Sequence, residues 1–286
     1  KEVVTALVSP THADNMTRTI VVEMRLPIAL MALVVGAALG LGGAQMQTLL
    51  DNPLASPFTL GIAAAAGFGA ALALVMSSYL GLHSIFSIPV GAFLFSMLAA
   101  SLLFGLALMR NVSSQTIILA GIALLFLFQS LLSLLQFVSS PELNQQIVFW
   151  LFGSLMRTTW QTLTITTVVT LVCAVLLYRD AWKLTCLRLG EARARSLGVN
   201  INRLRIKTLV LVALMTATAI SFVGIIGFVG LVAPHIGRML IGEDQRFLIP
   251  LSALCGAAML SVSSVISKSI VPGALFPIDR KSTRLN

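Results

Sequence analysis

The sequence predicts an all-α polytopic membrane protein, on three observations. Hydrophobic residues make up 57% of the chain and charged residues only 10%, whereas soluble domains carry about 25% charged residues. The mean hydropathy is +0.97, which is more apolar surface than a single soluble core of this length can bury. Apolar runs of the length that crosses hydrocarbon, roughly 20 helical residues, recur along the chain. Lipid is therefore the predicted solvent.

The apolar runs predict about eight transmembrane helices. They lie near residues 26–49, 58–80, 85–109, 115–138, 158–178, 206–226, 227–241 and 247–268. The seventh is short and follows Gly224 and Gly227, so we expect it to be bent or partly re-entrant. Small residues at helical spacing, as at Gly36, Gly40 and Gly43, favour close helix packing over a flexible gate.

Basic residues predict the orientation of these helices. With the N-terminal segment outside, the inside loops hold eleven basic residues and the outside loops five, the final residues being set aside. Eight of the eleven lie in residues 179–207. We therefore expect an extracytoplasmic segment at 1–24, a transmembrane domain at 25–278 and a cytoplasmic loop at 179–207.

The composition also weighs against several functions. All ten acidic residues lie in loops or at the ends of spans, whereas ion-coupled transporters usually keep carboxylates at membrane depth. None of the five lysines follows a glycine, so the chain cannot build a Gly-Lys phosphate-binding loop. The basic residues lie in short gaps between apolar runs, which does not favour nucleic acid. Cys173, Cys186 and Cys255 are interpreted as packing residues.

The longest cytoplasmic loop predicts a docking element. From Arg188 to Val199 it reads as a short polar helix, a stop at Gly198 and a second basic helix that leads into the sixth span. On charge alone, a loop that merely fixes the topology is an equal alternative. The order helix, glycine, helix favours docking.

Six ordered blocks of sequence resemble a known family. The blocks are Leu26-Pro27 after Arg25; Gly-Gly-Ala-Gln-Met-Gln at 42–47; Asn-Pro-Leu-Ala-Ser-Pro at 52–57 with Leu60-Gly61; Trp-Leu-Phe-Gly-Ser-Leu at 150–155; Leu-Gly-Glu to Ser-Leu-Gly-Val at 189–199; and Gly-Phe-Val-Gly-Leu-Val-Ala-Pro-His-Ile-Gly-Arg at 227–238. Together they resemble the FecCD/BtuC-type permeases, the membrane subunits of ATP-driven importers for iron chelates, haem and vitamin B12. The resemblance covers residues 25–278.

The resemblance implies the function and the partners. It implies a ten-helix, non-catalytic permease of the bacterial cytoplasmic (inner) membrane that pairs with a second copy or a paralogue. Cytoplasmic ATP-binding subunits and a periplasmic or lipid-anchored binding protein would complete the importer. We expect an iron(III)–siderophore cargo, with haem or cobalamin as the alternative and a secondary transporter as the more distant one. No cofactor or nucleic acid is expected.

The resemblance also implies the site residues. The loop that contacts the ATPase corresponds to Glu191, Ala192, Arg195, Leu197, Gly198 and Val199. Contacts with the binding protein correspond to Arg25 and Lys268, at the outer ends of the first and last spans. A second arginine, usual three positions after the first, is replaced here by Ile28. That substitution weakens the expected docking or shifts it to another basic residue.

Two further sets of residues allow two interpretations each. Gln129, Ser130 and Ser133 form a polar patch in the fourth span, which is either a contact between helices or part of the transport pathway. His235 is one of three scattered histidines without a ligand cluster, so a packing role is favoured over a metal ligand. Asn52-Pro53 favours a turn that ends one helix and caps the next.

Both ends of the sequence depart from the family. The resemblance implies one more helix before residue 1 and one after residue 278. The last eight residues, 279–286, replace the final helix and are expected to be an artefact without a functional role.

Overall fold

The fold is known from a computed structural model, which describes residues 14–80, 87–109 and 112–270. These residues form helices and contain no strand, so the predicted all-α class is confirmed. The helices are α1 (Asn15–Leu49), α2 (Ile62–Leu80), α3 (Ser87–Leu108), α4 (Ser114–Val138), α5 (Pro141–Leu151), α6 (Trp160–Tyr178), α7 (Ala181–Leu187), α8 (Glu191–Ser196), α9 (Ile201–Val223), α10 (Val229–Ile241) and α11 (Gln245–Ile270).

Six of these helices are long and apolar enough to cross a membrane. They are α1, α3, α4, α6, α9 and α11. Each of the eight predicted spans corresponds to a helix, but α2 and α10 contribute only shorter apolar stretches, at Ile62–Ser78 and Val229–Ile241. The predicted count of eight spans is therefore not confirmed.

Several helix ends differ from the prediction, and two short helices are additional to it. Helix α1 begins at Asn15 and passes Arg25 through a π-helical stretch, Thr19–Arg25, so Arg25 lies inside a helix rather than at its start. Helix α9 ends at Val223, where the predicted span runs to 226. The short helices α5 and α7 were not predicted, because each is too short and too polar to give the signal of a span.

Hydroxyl and amide side chains cap the N-termini of several helices. Ser113 accepts a hydrogen bond from the Thr116 amide at the start of α4. Thr159 and Thr162 form a capping box at the start of α6, and Asn200 caps α9 through the Arg203 amide. These caps satisfy backbone amides that have no partner within the helix, and so they fix where each helix begins.

Helix α1 is the central element of the bundle. It packs against α11 at Gly36, where a Cβ atom would lie 2.3 Å from the carbonyl oxygen of Gly256. At Gly40 a Cβ atom would lie 2.2 Å from the carbonyl oxygen of Ser252. Residue numbers rise on α1 as they fall on α11, so the two helices are antiparallel. The predicted close packing at these glycines is confirmed.

Two non-helical segments meet inside the bundle. One is the link between α1 and α2, where Gly61 lies against Leu125, about 16 Å along α4 from its start at 1.5 Å per residue. The other is residues 224–228, between α9 and α10. A Cβ atom on Gly227 would lie 3.6 Å from the ring of Phe58. Non-helical backbone at membrane depth is tolerated only inside protein or along a water-filled cavity.

Candidate functional site

Residues 179–207 fold into a compact helical segment between α6 and α9. Helix α7 follows Asp180 directly, and α8 begins at Glu191. After α8 the chain turns at Gly198, which has a φ of +80°. The Gly198 amide donates to the Arg195 carbonyl and the Val199 amide donates to the Ala194 carbonyl, the pattern of a glycine-terminated helix. The predicted helix, glycine and helix are thus observed.

Asp180 ties the start of α7 to α9. Its carboxylate is nearly buried and accepts hydrogen bonds from Lys183, at 2.6 Å, and from Lys207. Burial alone raises the pKa of Asp180, but the hydrogen bonds and charges of the two lysines lower that pKa below its ordinary value. Asp180 therefore stays ionised and links the start of α7 to α9.

Glu191 holds α8 against α9. Its carboxylate accepts from Arg205 at 2.8 Å, and the Arg205 side chain is only 7% exposed. Arg195 reaches the other oxygen at 3.3 Å from the next turn of α8. Ala194 is buried against the main core. One face of α8 is thus fixed to the bundle and the opposite face is left free.

The predicted coupling residues fall into two groups. Glu191, Ala192, Arg195, Leu197 and Gly198 are all exposed. Val199 is instead 5% exposed and packs in the main hydrophobic core with Ile201 and Leu204. Five of the six residues are therefore exposed, two of them, Glu191 and Arg195, also paired with each other, and Val199 has a packing position.

A network of ion pairs joins this segment to two other loops. Arg188, at the end of α7, pairs with Asp51 after α1 and with Glu243 after α10, the latter at 3.2 Å. Arg238 also pairs with Glu243, at 3.2 Å, and donates to the side-chain oxygen of Gln47. These pairs could not be predicted from the sequence, because partners such as Asp51 and Arg188 are 137 residues apart.

Asp244 completes the polar surface at the start of α11. Hydrogen bonds from the Arg246 side chain and amide lower the pKa of Asp244 to about 2. The Asp244 carboxylate also accepts from Thr185 at 3.4 Å, and Thr185 accepts from the Gln245 amide at 3.0 Å. The ends of α7 and α11 therefore meet at the same end of the bundle as α8.

Arg25 and Lys268 lie at the opposite end. Both side chains are exposed. The antiparallel contacts of Gly36 with Gly256 and of Gly40 with Ser252 set the register of α1 against α11. Extending that register by about three turns brings Arg25 to the level of Lys268. The two predicted docking residues are thus at one height, although 243 positions separate them in sequence.

Gln129, Ser130 and Ser133 are all exposed on α4. Their exposure leaves both interpretations open: a contact with a helix of another chain, or part of the transport pathway. Neighbouring exposed residues on α4 are large and apolar, including Phe126 at 62% and Leu134 at 59%. This side of α4 is therefore open to lipid or to another chain.

The structure also describes the turn at Asn52 and the position of His235. Asn52 accepts a hydrogen bond from the Leu54 amide at 2.9 Å, which is the predicted turn, but α2 begins only at Ile62, so Asn52 does not cap it. His235 is exposed. Among the described residues, no group of three or more His, Cys, Asp or Glu side chains is placed to hold a metal ion.

Comparison with known proteins gives matches that agree on one family. The FecCD transport family matches residues 1–279. The hemin transport system permease of Yersinia pestis is 36% identical over 257 residues, which are 90% of this chain and 77% of that protein. The vitamin B12 import permease of Vibrio vulnificus is 33% identical over 268 residues, 93% of this chain and 80% of that protein. Other relatives are named for molybdate, in Haemophilus influenzae, and for iron chelatin, in Helicobacter pylori.

A solved structure matches the whole bundle. It is a metal-chelate type ABC transporter in an inward-facing conformation, with a TM-score of 0.83 and 32% identity over 94% of this chain and 87% of that one. The predicted resemblance is confirmed by the family match, the relatives and this structure together. The chain belongs to the FecCD transport family and is a membrane permease of the ABC importer class.

Proposed function

We propose that this chain carries iron(III)–siderophore chelates across the bacterial cytoplasmic membrane, driven by ATP hydrolysis in separate cytoplasmic subunits. The observation that carries the proposal is the exposed face of α8, held on a rigid base by Asp180 and Glu191. Such a surface is suited to contact with a partner subunit whose movement displaces α8. The iron cargo is supported by the relative named for iron chelatin and by the metal-chelate type transporter.

Haem and cobalamin are the alternative cargoes, because close relatives are named for hemin and for vitamin B12. The described pathway residues do not distinguish them. A binding protein that delivers the cargo would make the choice, since it meets the chelate first. The molybdate-named relative adds that the same architecture accepts cargoes of very different size.

The ATPase would contact Glu191, Ala192, Arg195, Leu197 and Gly198. Leu197 is 51% exposed, so it offers an apolar side chain to a groove in the partner, with Arg195 beside it for an acidic group. Val199 supports this surface from below. ATP binding would move α8, and hydrolysis would let it return, so that the bundle opens alternately to each side.

The binding protein would dock at the other end, on Arg25 and Lys268. Two exposed cations at one height suit acidic patches on a partner, where charges mainly steer the encounter and set the register. Gln129, Ser130 and Ser133 would line the transport pathway between two copies of the chain, or between this chain and a paralogue.

Uptake by the complete importer in proteoliposomes tests the proposal. The permease is reconstituted with its ATPase and its binding protein, and uptake of a ferric siderophore is compared with that of haem and of cobalamin. We expect ATP-dependent uptake of the ferric siderophore. Uptake of haem or cobalamin alone would replace the cargo, and uptake without ATP would contradict the importer mechanism.

The same preparation tests the docking residues. Reversal of both charges, Arg25→Glu with Lys268→Glu, should slow association of the binding protein about tenfold at low salt, with a smaller effect at high salt. Arg18→Glu is the matched control, because Arg18 is exposed on α1 two turns before Arg25. Equal slowing by the control would indicate a general charge effect, and wild-type association of the double variant would exclude docking at these residues.

A further inference from the structure

Arg188 occupies a junction between the coupling segment, residues 191–199, and the rest of the bundle. It lies at the end of α7, three residues before α8 begins. Its side chain is only 27% exposed, although the residue lies in a surface loop. One guanidinium nitrogen, Nη1, pairs with Asp51 and the other, Nη2, pairs with Glu243. A single side chain therefore contacts two loops that follow two different helices.

The Glu243 arm continues into the bundle along α10. Oε1 of Glu243 accepts from Arg188, and Oε2 accepts from Arg238. Arg238 donates to the Gln47 side chain, and Gln47 donates in turn to the carbonyl oxygen of Leu231 at 3.3 Å. Gln47 is 1% exposed, so this chain of contacts passes from the surface to the first turn of α10.

The Asp51 arm leads to the other non-helical segment. Asp51 has a φ of +49°, and it shares this left-handed conformation, among the non-glycine residues that the structure describes, with Phe228. Non-glycine residues adopt it at a cost in free energy and are held there by their surroundings. Asp51 opens the link that runs through Phe58 to Gly61, and Phe228 lies just before α10.

The two arms end at the same place. The link after Asp51 brings Phe58 against Gly227, and Leu231 lies four residues after Gly227. Ser56, Phe58, Phe228 and Leu231 line one common cavity there. Both arms thus start at Arg188 and lead to the two non-helical segments that line this cavity.

We infer that Arg188 is a positioning residue that transmits movement of the coupling segment to the two non-helical segments around this cavity. The inference rests on the proposed function, because it takes α8 as the point where the ATPase acts. A guanidinium is suited to this role since its planar fork binds two carboxylates at once. A lysine ammonium at the same position is a single point of charge and would hold the two arms less firmly.

Distance measurements on the complete importer in nanodiscs test the inference. Spin labels are placed at Ser196→Cys on α8 and Met239→Cys on α10, each paired with a reference label at Glu142→Cys, after replacement of the native cysteines. All three positions are exposed. In the otherwise unchanged protein, we expect ATP binding to change both distances. In Arg188→Gln, the change at 196 should persist and the change at 239 should be largely lost.

Hydrolysis gives a second readout on the same samples. The increase in ATP hydrolysis caused by loaded binding protein should fall about fivefold or more in Arg188→Gln, the lower range of coupling between sites. Hydrolysis without binding protein, and the amount of assembled complex, should stay unchanged. Arg188→Lys should be intermediate. Arg179→Gln is the matched control, an exposed arginine of the same loop outside the coupling segment.

One substitution tests each arm of the Arg188 contacts separately. Glu243→Gln should weaken the movement at 239, whereas Asp51→Asn should leave that movement in place and reduce only the stimulated hydrolysis.

A wild-type change at 239 in assembled Arg188→Gln would overturn the positioning role. If Arg188→Gln does not assemble, Glu243→Gln decides by the same criterion. If Ser196 does not move even without these substitutions, the coupling role of α8 is wrong and the positioning role falls with it.

Discussion

At the scale of single residues, the packing of Gly43 leaves no room for a side chain. A Cβ atom at this position would lie 1.6 Å from the carbonyl oxygen of Gly230, at the contact of α1 with α10. The obstacle is backbone, which cannot turn aside as a flexible side chain does. The position therefore requires glycine.

We expect Gly43→Ala to lower the stability by about 1–3 kcal/mol, the usual effect of overpacking a well-filled site. Gly105→Ala is the control, because a Cβ atom there has no neighbour within 4 Å, and alanine favours a helix over glycine. Thermal unfolding in detergent, followed by the loss of monodisperse protein, measures both variants. Equal melting temperatures for the two variants would contradict the tight contact.

At the scale of elements, the end of α8 depends on the left-handed conformation of Gly198. A β-branched residue is strongly disfavoured there, whereas asparagine adopts it more readily than other residues. No atom lies within 4 Å of a Cβ placed on Gly198, so the effect of a substitution is confined to the backbone. The turn can therefore be altered without disturbing the core.

Gly198→Val should reduce assembly with the ATPase or abolish the stimulation of hydrolysis by loaded binding protein, since the turn that presents Leu197 is lost. Gly198→Asn should retain most of both, because it preserves the turn. Pull-down of the ATPase and hydrolysis assays distinguish the two variants. Wild-type coupling in Gly198→Val would remove the coupling role of this turn.

The sequence alone predicted the bounds of some helices more accurately than those of others. Long apolar helices such as α4 were predicted almost to the residue, because hydropathy and length identify them together. Helix α5 was missed, since its 11 residues are too few to span a membrane. The boundary at Val223 was also missed. Residues 224–228 are as apolar as their neighbours, so hydropathy does not locate this boundary, although Gly224 and Gly227 indicate a bend. Gly224 has a φ of +79° and packs against Gly153 and Trp150.

At the scale of the whole molecule, charge divides the bundle into two ends. The paired Asp51, Asp180, Glu191 and Glu243 gather with their basic partners at one end, whereas Arg25, Glu142 and Lys268 lie in the segments assigned to the other. The excess of basic residues at the first end predicts that it faces the cytoplasm.

Labelling of intact cells tests this orientation. A cysteine at Ser196 should resist a membrane-impermeant thiol reagent until the cells are opened, and a cysteine at Glu142 should react at once. Both positions are exposed in the described structure, so burial does not account for a difference. Ready modification at 196 in intact cells would reverse the topology.

The site shows the limit of sequence reasoning on this scale. The coupling residues could be predicted because they are contiguous in a motif that resembles the family's. The pairing of Arg188 with Asp51 and Glu243 was not, because it depends on how three loops meet once the helices have packed. Charge alone indicated only that each of these residues lies outside the apolar spans.

The antiparallel contact of α1 with α11 has a mechanical consequence. At Gly36 and Gly256 each helix brings an α-carbon close to a carbonyl oxygen of the other, an arrangement suited to weak Cα–H···O hydrogen bonds. Water does not compete for such contacts within a bilayer, and at these glycines no side chain separates the two helices. Sliding one along the other would bring backbone against backbone. The two helices must therefore tilt together as one rigid unit, and any opening of the bundle has to occur at the contacts between other helices.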